Sequence, residues 1–178
     1  MWRTVSNSLW LATLAALLGG CGLSQTLTDS STSAVRAVFY TQVKTLHLDF
    51  SGRAATNRDV ADMSDLSVPT VVRVYQLRER KAMERATYDN LLHSSTRVLG
   101  GDLLDERAVV VKPGEGAQMS IPMNPGAQFV TVVALFRAPD TDMDTWRLTL
   151  SRNDLDPDHP RVIELSEDRL TLRPVIKE

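Results

Sequence analysis

The chain has 178 residues, 43% apolar and 24% charged, a balance that suits one globular domain and excludes a disordered chain. Twenty lysines and arginines stand against 22 aspartates and glutamates with no basic run, so nothing offers the electrostatic footprint that nucleic acid requires. The single cysteine excludes an internal disulfide and a cysteine-based zinc cluster.

Residues 1–20 read as a lipoprotein signal peptide. Arg3 supplies the positive start, and Leu9 to Leu18 form a short apolar core. As a helix that core would span about 15 Å, against roughly 30 Å of bilayer hydrocarbon, so it is a leader and not a membrane span. No later segment approaches the length of a transmembrane helix. Removing the leader takes away only Arg3 among the charged residues, leaving 19 basic against 22 acidic groups and a net charge of −3. The next four-residue signal, Leu18-Gly19-Gly20-Cys21, resembles a bacterial lipobox. A thiolate is the best side-chain nucleophile, and the resemblance implies a diacylglyceryl thioether on Cys21; no cofactor beyond that covalent lipid is expected. Each buried methylene adds about 0.8 kcal/mol, so two or three acyl chains hold a protein on a membrane essentially without release. Gly22 stands where an inner-membrane retention signal carries aspartate, and likeness to sorted lipoproteins implies the outer membrane with the domain in the periplasm.

Residues 21–33 read as the acylated cysteine and a flexible serine- and threonine-rich tether, too polar to order itself. Residues 34–178 are then a single domain. Ala34 to Gln42 is ambiguous: Val35, Ala37 and Phe39 alternate like a strand, but Val38 and Tyr40 break the pattern.

From there strand signals dominate. Leu46, Leu48 and Phe50 alternate with Thr45, His47 and Asp49 as a half-buried strand does. Thr70 to Leu77 is β-branched and aromatic, with Pro69 marking its start. Ala108 to Val111 stops at the turn cluster Lys112-Pro113-Gly114-Glu115-Gly116. Gln118 to Ile121 ends at Pro122, and Asn124-Pro125-Gly126 makes a turn. Gln128 to Phe136 is apolar on both faces and is expected at the centre of a sheet. Trp146 to Leu150, Arg161 to Leu165 and Arg169 to Arg173 complete eight candidates. Arg80 to His93 lacks glycine and proline and places Met83, Ala86, Leu91 and Leu92 at helical spacing, which predicts one helix or two short turns. The predicted fold is mainly β: an antiparallel β-sandwich of about eight strands with a short helical insertion.

The residues that carry chemistry do not assemble into a motif. Asp154, Asp156 and Asp158 begin like a calcium loop, but His159 occupies the turn-glycine position and Leu165 the bidentate glutamate position. Asp102, Asp105 and Glu106 fit a turn with a capping aspartate better than an acid/base pair. His47, His93 and His159 have no metal-ligand spacing, and neither a nucleophile elbow nor a phosphate-cradling loop occurs. Of the tryptophans only Trp146 lies beyond the leader, and a core position suits it.

Three segments together resemble one family, the outer-membrane lipoprotein of type VI secretion systems (TssJ, VasD, SciN). They are the lipobox at Cys21; Val68-Pro69-Thr70-Val71-Val72-Arg73-Val74-Tyr75-Gln76-Leu77; and the run from Met83 through Ala86, Tyr88 and Leu91 into Val98 to Leu104, with Lys112 to Glu115 following. The resemblance implies a transthyretin-like sandwich and no catalysis. It also implies a partner: the periplasmic C-terminal region of the inner-membrane TssM-like protein, within a complex that also contains TssL. In the family that contact involves the loop between the first two core strands, which here corresponds to Gly52–Ser67. The implied partner-binding residues are Arg53, Asn57, Arg58, Asp59, Val60, Asp62, Met63, Asp65 and Leu66. Val60, Met63 and Leu66 recur every third residue, either as an apolar anchor for the partner or as packing of the loop onto its own sheet. Two other function classes stand beside this one. A stand-alone lipoprotein binding a sugar, lipid or metal would need a concave polar and aromatic site. A hydrolase on the same scaffold would need His47, Arg73 or His93 to converge.

Overall fold

A computed structural model describes residues 43–57 and 66–174, all of them in the unit Gln42–Glu178. The signal peptide, Cys21, the tether and the Ala34 to Gln42 segment lie outside the described residues. So do Arg58, Asp59, Val60, Asp62, Met63 and Asp65.

Strand β1 runs Thr45–Thr56 and buries Leu46, Leu48 and Phe50, the alternation its sequence announces. It continues six residues past Phe50, where Gly52, Arg53, Ala54 and Ala55 carry no strand signature. Two outside contacts hold this extension. Gly52 donates to Glu115 O at 2.9 Å and accepts from Gly114 N at 3.0 Å. Only glycine fits there, because a Cβ would lie 2.6 Å from Lys112 O.

The remaining elements are β2 (Thr70–Leu77), α1 (Lys81–Arg85), α2 (Tyr88–Leu99), β3 (Leu103–Val111), β4 (Gly116–Pro122), β5 (Phe129–Leu135), β6 (Arg147–Ser151), β7 (Arg161–Glu167) and β8 (Arg169–Leu172). They form two four-stranded sheets, ordered β4-β1-β7-β8 and β3-β2-β5-β6. All eight expected strands are present in a sandwich. One pair departs from the antiparallel rule: β1 and β7 run parallel, Leu48 opposite Arg161 through Gly52 opposite Leu165. The reason is where β6 ends. Arg152, just past it, donates to Val43 O at 2.8 Å, so the chain re-enters the first sheet at the end where β1 begins.

Val72, Val74, Val130 and Val132 meet Leu46, Leu48, Phe50, Ile163 and Leu165 in the core. β2 buries both faces from Val74 to Leu77, as β5 does from Val130 to Ala134. The helical insertion supplies the second cover. It comprises two helices, the second running past His93 to Leu99 with a break at Ser94 (φ −153°, ψ 43°). Thr87 caps α2 by accepting from Asn90 N at 3.3 Å, and Gly100 ends it at φ +51°, whereas Gly101 needs no positive φ. The break frees backbone carbonyls, and Arg73 donates to Leu91 O at 2.9 Å and Leu92 O at 3.4 Å. Arg147 does the same for α1, reaching Met83 O at 2.7 Å and Ala86 O at 3.1 Å. A cation at a helix C-terminus is the favourable sign for the helix dipole. Trp146 is 1% exposed and meets Tyr88 edge to face, ring centroids 5.2 Å apart.

Candidate functional site

β1 has twelve residues, which at roughly 3.3 Å each makes a strand about 40 Å long. Its two ends are built differently. At the Val43 end, Arg152 ties Val43 O to Asn124 O (3.1 Å) and Ala127 O (2.7 Å). At the far end the chain leaves β1 at Asn57 and returns at Pro69 into β2. The ends of β5 and β7, at Leu135 and Glu167, lie there too.

Asn57 organises this far end. It stands at φ +55°, a conformation asparagine tolerates better than most residues, and is 2% exposed. Its amide N donates to Glu167 O at 2.8 Å. Its side-chain Oδ1 accepts from Arg137 N at 2.7 Å, and Nδ2 donates to Pro69 O at 3.4 Å. Beside it, buried Thr56 donates to Leu165 O at 3.0 Å. One side chain therefore links the end of β1, the start of β2 and the segment after β5.

Apolar surface is concentrated near this end. Leu66 is 64% exposed, and Val71 and Val110 are 38% and 54% exposed. Val71 pairs with both Val110 and Leu135, so the three share one face of the second sheet. Alongside lies a cleft of about 750 Å³ whose apolar walls are Tyr88, Leu92, Leu135, Phe136, Pro139 and Trp146. Tyr88 donates its hydroxyl to Phe136 O, and burial, with Asp89 nearby, pushes its phenol up to about 12.

The expected partner loop needs correcting at its start. Gly52 to Thr56 belong to β1, so the connection between the first two strands begins at Asn57. Arg53 lies on the strand, with Nε 2.8 Å from Glu164 Oε1. That hydrogen bond and charge, helped by Arg173, hold the Glu164 carboxyl below its usual range. Asn57 is turned inward and is not a surface contact. Leu66 does not pack onto its own sheet; it is open to a partner.

The chemistry-bearing residues have structural occupations. Asp154 accepts from Ser151 N (2.8 Å) and Oγ (2.7 Å), which lowers its pKa, and Asp156 accepts from the amides of Asp158 and His159. Asp105 lies 3.4 Å from Gln76 Nε2, and Glu106 accepts from Ser95 Oγ at 3.0 Å and sits 3.8 Å from Arg73. Arg73 and His93 line one polar hollow of about 430 Å³. His47 does not join them: it lies on the other sheet, 2.9 Å from Ser120 Oγ. Among the described residues no group of three or more His, Cys, Asp or Glu is placed to hold a metal.

Sequence reasoning did not single out Thr56, Arg137, Arg147 or Arg152. Their roles arise through backbone groups distant in sequence, and only the Asn57–Pro69 pair has a local signal, an asparagine leaving a strand and a proline entering the next.

The family model described as type VI secretion lipoprotein (VasD, EvfM, TssJ, VC_A0113) matches residues 44–168. No curated protein sequence matches the chain. Among solved structures, a chain of one described as "T6SS protein TssM C-terminal domain (869-1107) from EAEC" is 38% identical. The match covers 75% of this chain and 100% of that one, with a TM-score of 0.67. A chain of a structure described as "Type VI membrane complex" is also 38% identical, with a TM-score of 0.70 over the same shares. The T6SS lipoprotein TssJ1 from Pseudomonas aeruginosa, 24% identical with a TM-score of 0.60 over 74% of this chain and 98% of its own, shares the fold.

Proposed function

The chain belongs to the type VI secretion lipoprotein family, and from that premise we propose that it tethers a trans-envelope secretion complex to the outer membrane. Acyl chains on Cys21 hold the membrane. The far end of the sandwich holds the periplasmic C-terminal region of a TssM-like inner-membrane protein, in a complex that also contains TssL. The role is mechanical and involves no catalysis. The observation that carries this reading is the pair of 38% identical chains, matched over their whole length, that come from structures described by TssM and by the type VI membrane complex.

The geometry suits such a load. The described chain leads into β1 from Val43, and the candidate partner contact lies at the other end of the same strand. A pull between them runs along the covalent backbone of a strand already extended, flanked by β4 and β7. Little length is released before the contact itself gives way. Exposed Leu66, Val71 and Val110 provide the apolar anchors from which interface affinity is built.

The test is calorimetric titration of unacylated Gly22–Glu178 with the periplasmic C-terminal region of the cognate TssM-like protein. A second titration replaces residues 58–65 with a short glycine linker, leaving β1 intact. Binding that weakens at least about tenfold, some 1.4 kcal/mol, places the contact at this connection. Undiminished binding moves the contact to another surface. No binding by the folded domain turns attention to the cleft beside Trp146 and a small ligand.

A further inference from the structure

We infer that β3 is a self-pairing edge: two copies of this chain join their β3 strands antiparallel about a twofold axis at Val109. The inference goes beyond the adaptor reading and takes from it only the membrane that holds copies side by side.

β3 is the longest of the four strands that end a sheet, nine residues against seven for β4, five for β6 and four for β8. Its free side follows from one hydrogen bond. Ala134 N donates to Trp146 O at 2.9 Å, so β5 turns the backbone of Ala134 and Val132 toward β6 and that of Val133 toward β2. Arg73 answers Val133, which leaves Val72 and Val74 to bond β3. Val109 and Arg107 answer those two, and the N–H and C=O of Ala108 and Val110 point off the edge of the sheet. Both residues are exposed, and the run from Ala108 to Val111 carries no charge or proline to blunt the edge.

A second copy fits this edge in one register. With Val109 opposite its own symmetry mate, Ala108 meets Val110 and Glu106 meets Lys112, and the axis repeats each pair. Ala108 and Val110 then satisfy each other's backbone groups, and the row Leu135–Val71–Val110 continues into Ala108 of the other copy. Lys112 is exposed and pairs only with exposed Glu115, at 3.3 Å, a contact with which solvent competes. Sliding one copy by two residues either way loses the Glu106–Lys112 pairs, and a further slide sets Arg107 opposite Arg107. The helices do not obstruct the pairing. Ser95 of α2 bonds Glu106, so each helix lies over its own Glu106, at opposite ends of the paired segment. So short a pairing suits copies confined to one surface, where the effective concentration is high.

The test uses the full-length lipoprotein in membranes treated with a mild oxidant. Val109→Cys places two thiols in a directly opposed pair without ladder bonds, where Cβ atoms come about 4.5 Å apart, close to disulfide geometry. Arg107→Cys is the control: it lies on the same face, but its symmetry mate is displaced along the ladder by about 13 Å. The expected result is a disulfide-linked dimer from Val109→Cys, at least about tenfold more than from Arg107→Cys or from wild type. Adding Ala108→Pro removes an N–H that no ladder bond within one copy uses, so the fold stands and the dimer falls at least about fivefold. Lys112→Glu, a surface change, lowers it in the same way by setting like charges opposite each other. Equal dimer from positions 107 and 109 means random encounter and overturns the inference. So does an absence of dimer, a Val109→Cys product linked to a different protein, or a dimer indifferent to both added changes. The titration with the TssM-like region tests the adaptor reading separately, so the failure of one is distinguishable from the failure of the other.

Discussion

Gln76 connects the two sheets. It is fully buried on β2 of the second sheet, yet its carboxamide serves backbone groups at the end of β4 in the first. Nε2 donates to Pro122 O at 2.9 Å, and Oε1 accepts from Asn124 N at 2.7 Å. Gln76→Leu keeps nearly the same volume and removes both bonds together with the longer 3.4 Å bond to Asp105 Oδ2, so packing is conserved and the polar change stands alone. Each orphaned backbone group costs about 1–3 kcal/mol when water cannot reach it. Pro122 and Asn124 are only partly covered, which lets solvent recover some of that cost. The loss is therefore expected in the lower part of the range, about 2–3 kcal/mol in total, a large share of the roughly 5–15 kcal/mol that holds such a domain together. Urea unfolding at neutral pH reads it as a lower midpoint with an unchanged slope, and a thermal scan as a drop of about 10 °C. A loss below about 1 kcal/mol would refute the view that this amide joins the sheets, because it would mean that water replaces both bonds at no cost.

Gly52→Ala forces the 112–116 turn off β1, since its Cβ would meet Lys112 O at 2.6 Å; urea unfolding should show a loss of about 2–3 kcal/mol. Arg73→Met strips the donor from Leu91 O and Leu92 O, costing about 2–3 kcal/mol, and amides of residues 88–93 should exchange faster while those of β5 do not. The Asp154 and Glu164 pKa values are depressed in the folded state, so their stabilisation is complete above the ordinary carboxylate range near 4 and is lost as pH falls through the lower folded values. Ser151→Ala removes the hydroxyl bond and keeps the Ser151 N–H bond, so it should remove the larger share of Asp154's part of that acid dependence, seen as a shallower fall of the urea midpoint between neutral pH and pH 3.

Alternation and turn chemistry are local, and they made the sandwich legible. Leu46, Leu48 and Phe50 announced β1; the Lys112 to Gly116 and Asn124 to Gly126 turns bounded β4 and β5; the two-faced run from Gln128 marked a central strand. The sequence was silent where structure is imposed from a distance. β3 begins at Leu103 and not near Ala108, because Asp105, Glu106 and Arg107 look like loop residues until β2 pairs with them. The parallel alliance of β1 with β7 joins residues more than a hundred positions apart. At the candidate site, the sequence left Leu66 open between an anchor and packing onto its own sheet, and only its exposure in the fold decides against packing. Asn57 entered as one residue of the loop that the family resemblance implies, and only its hydrogen-bond partners in three other segments show that it is turned inward.

The central claim is that the partner meets the Asn57 end of β1, opposite the Val43 end. It is tested most directly by a photo-cross-linking amino acid placed in the full-length lipoprotein in cells that make the whole secretion complex. One position is Leu66 at the far end; the other is Pro125, exposed at the Val43 end. The account predicts a cross-link to the TssM-like protein from position 66 and none from 125. Cross-linking from 125 with silence at 66 would contradict it.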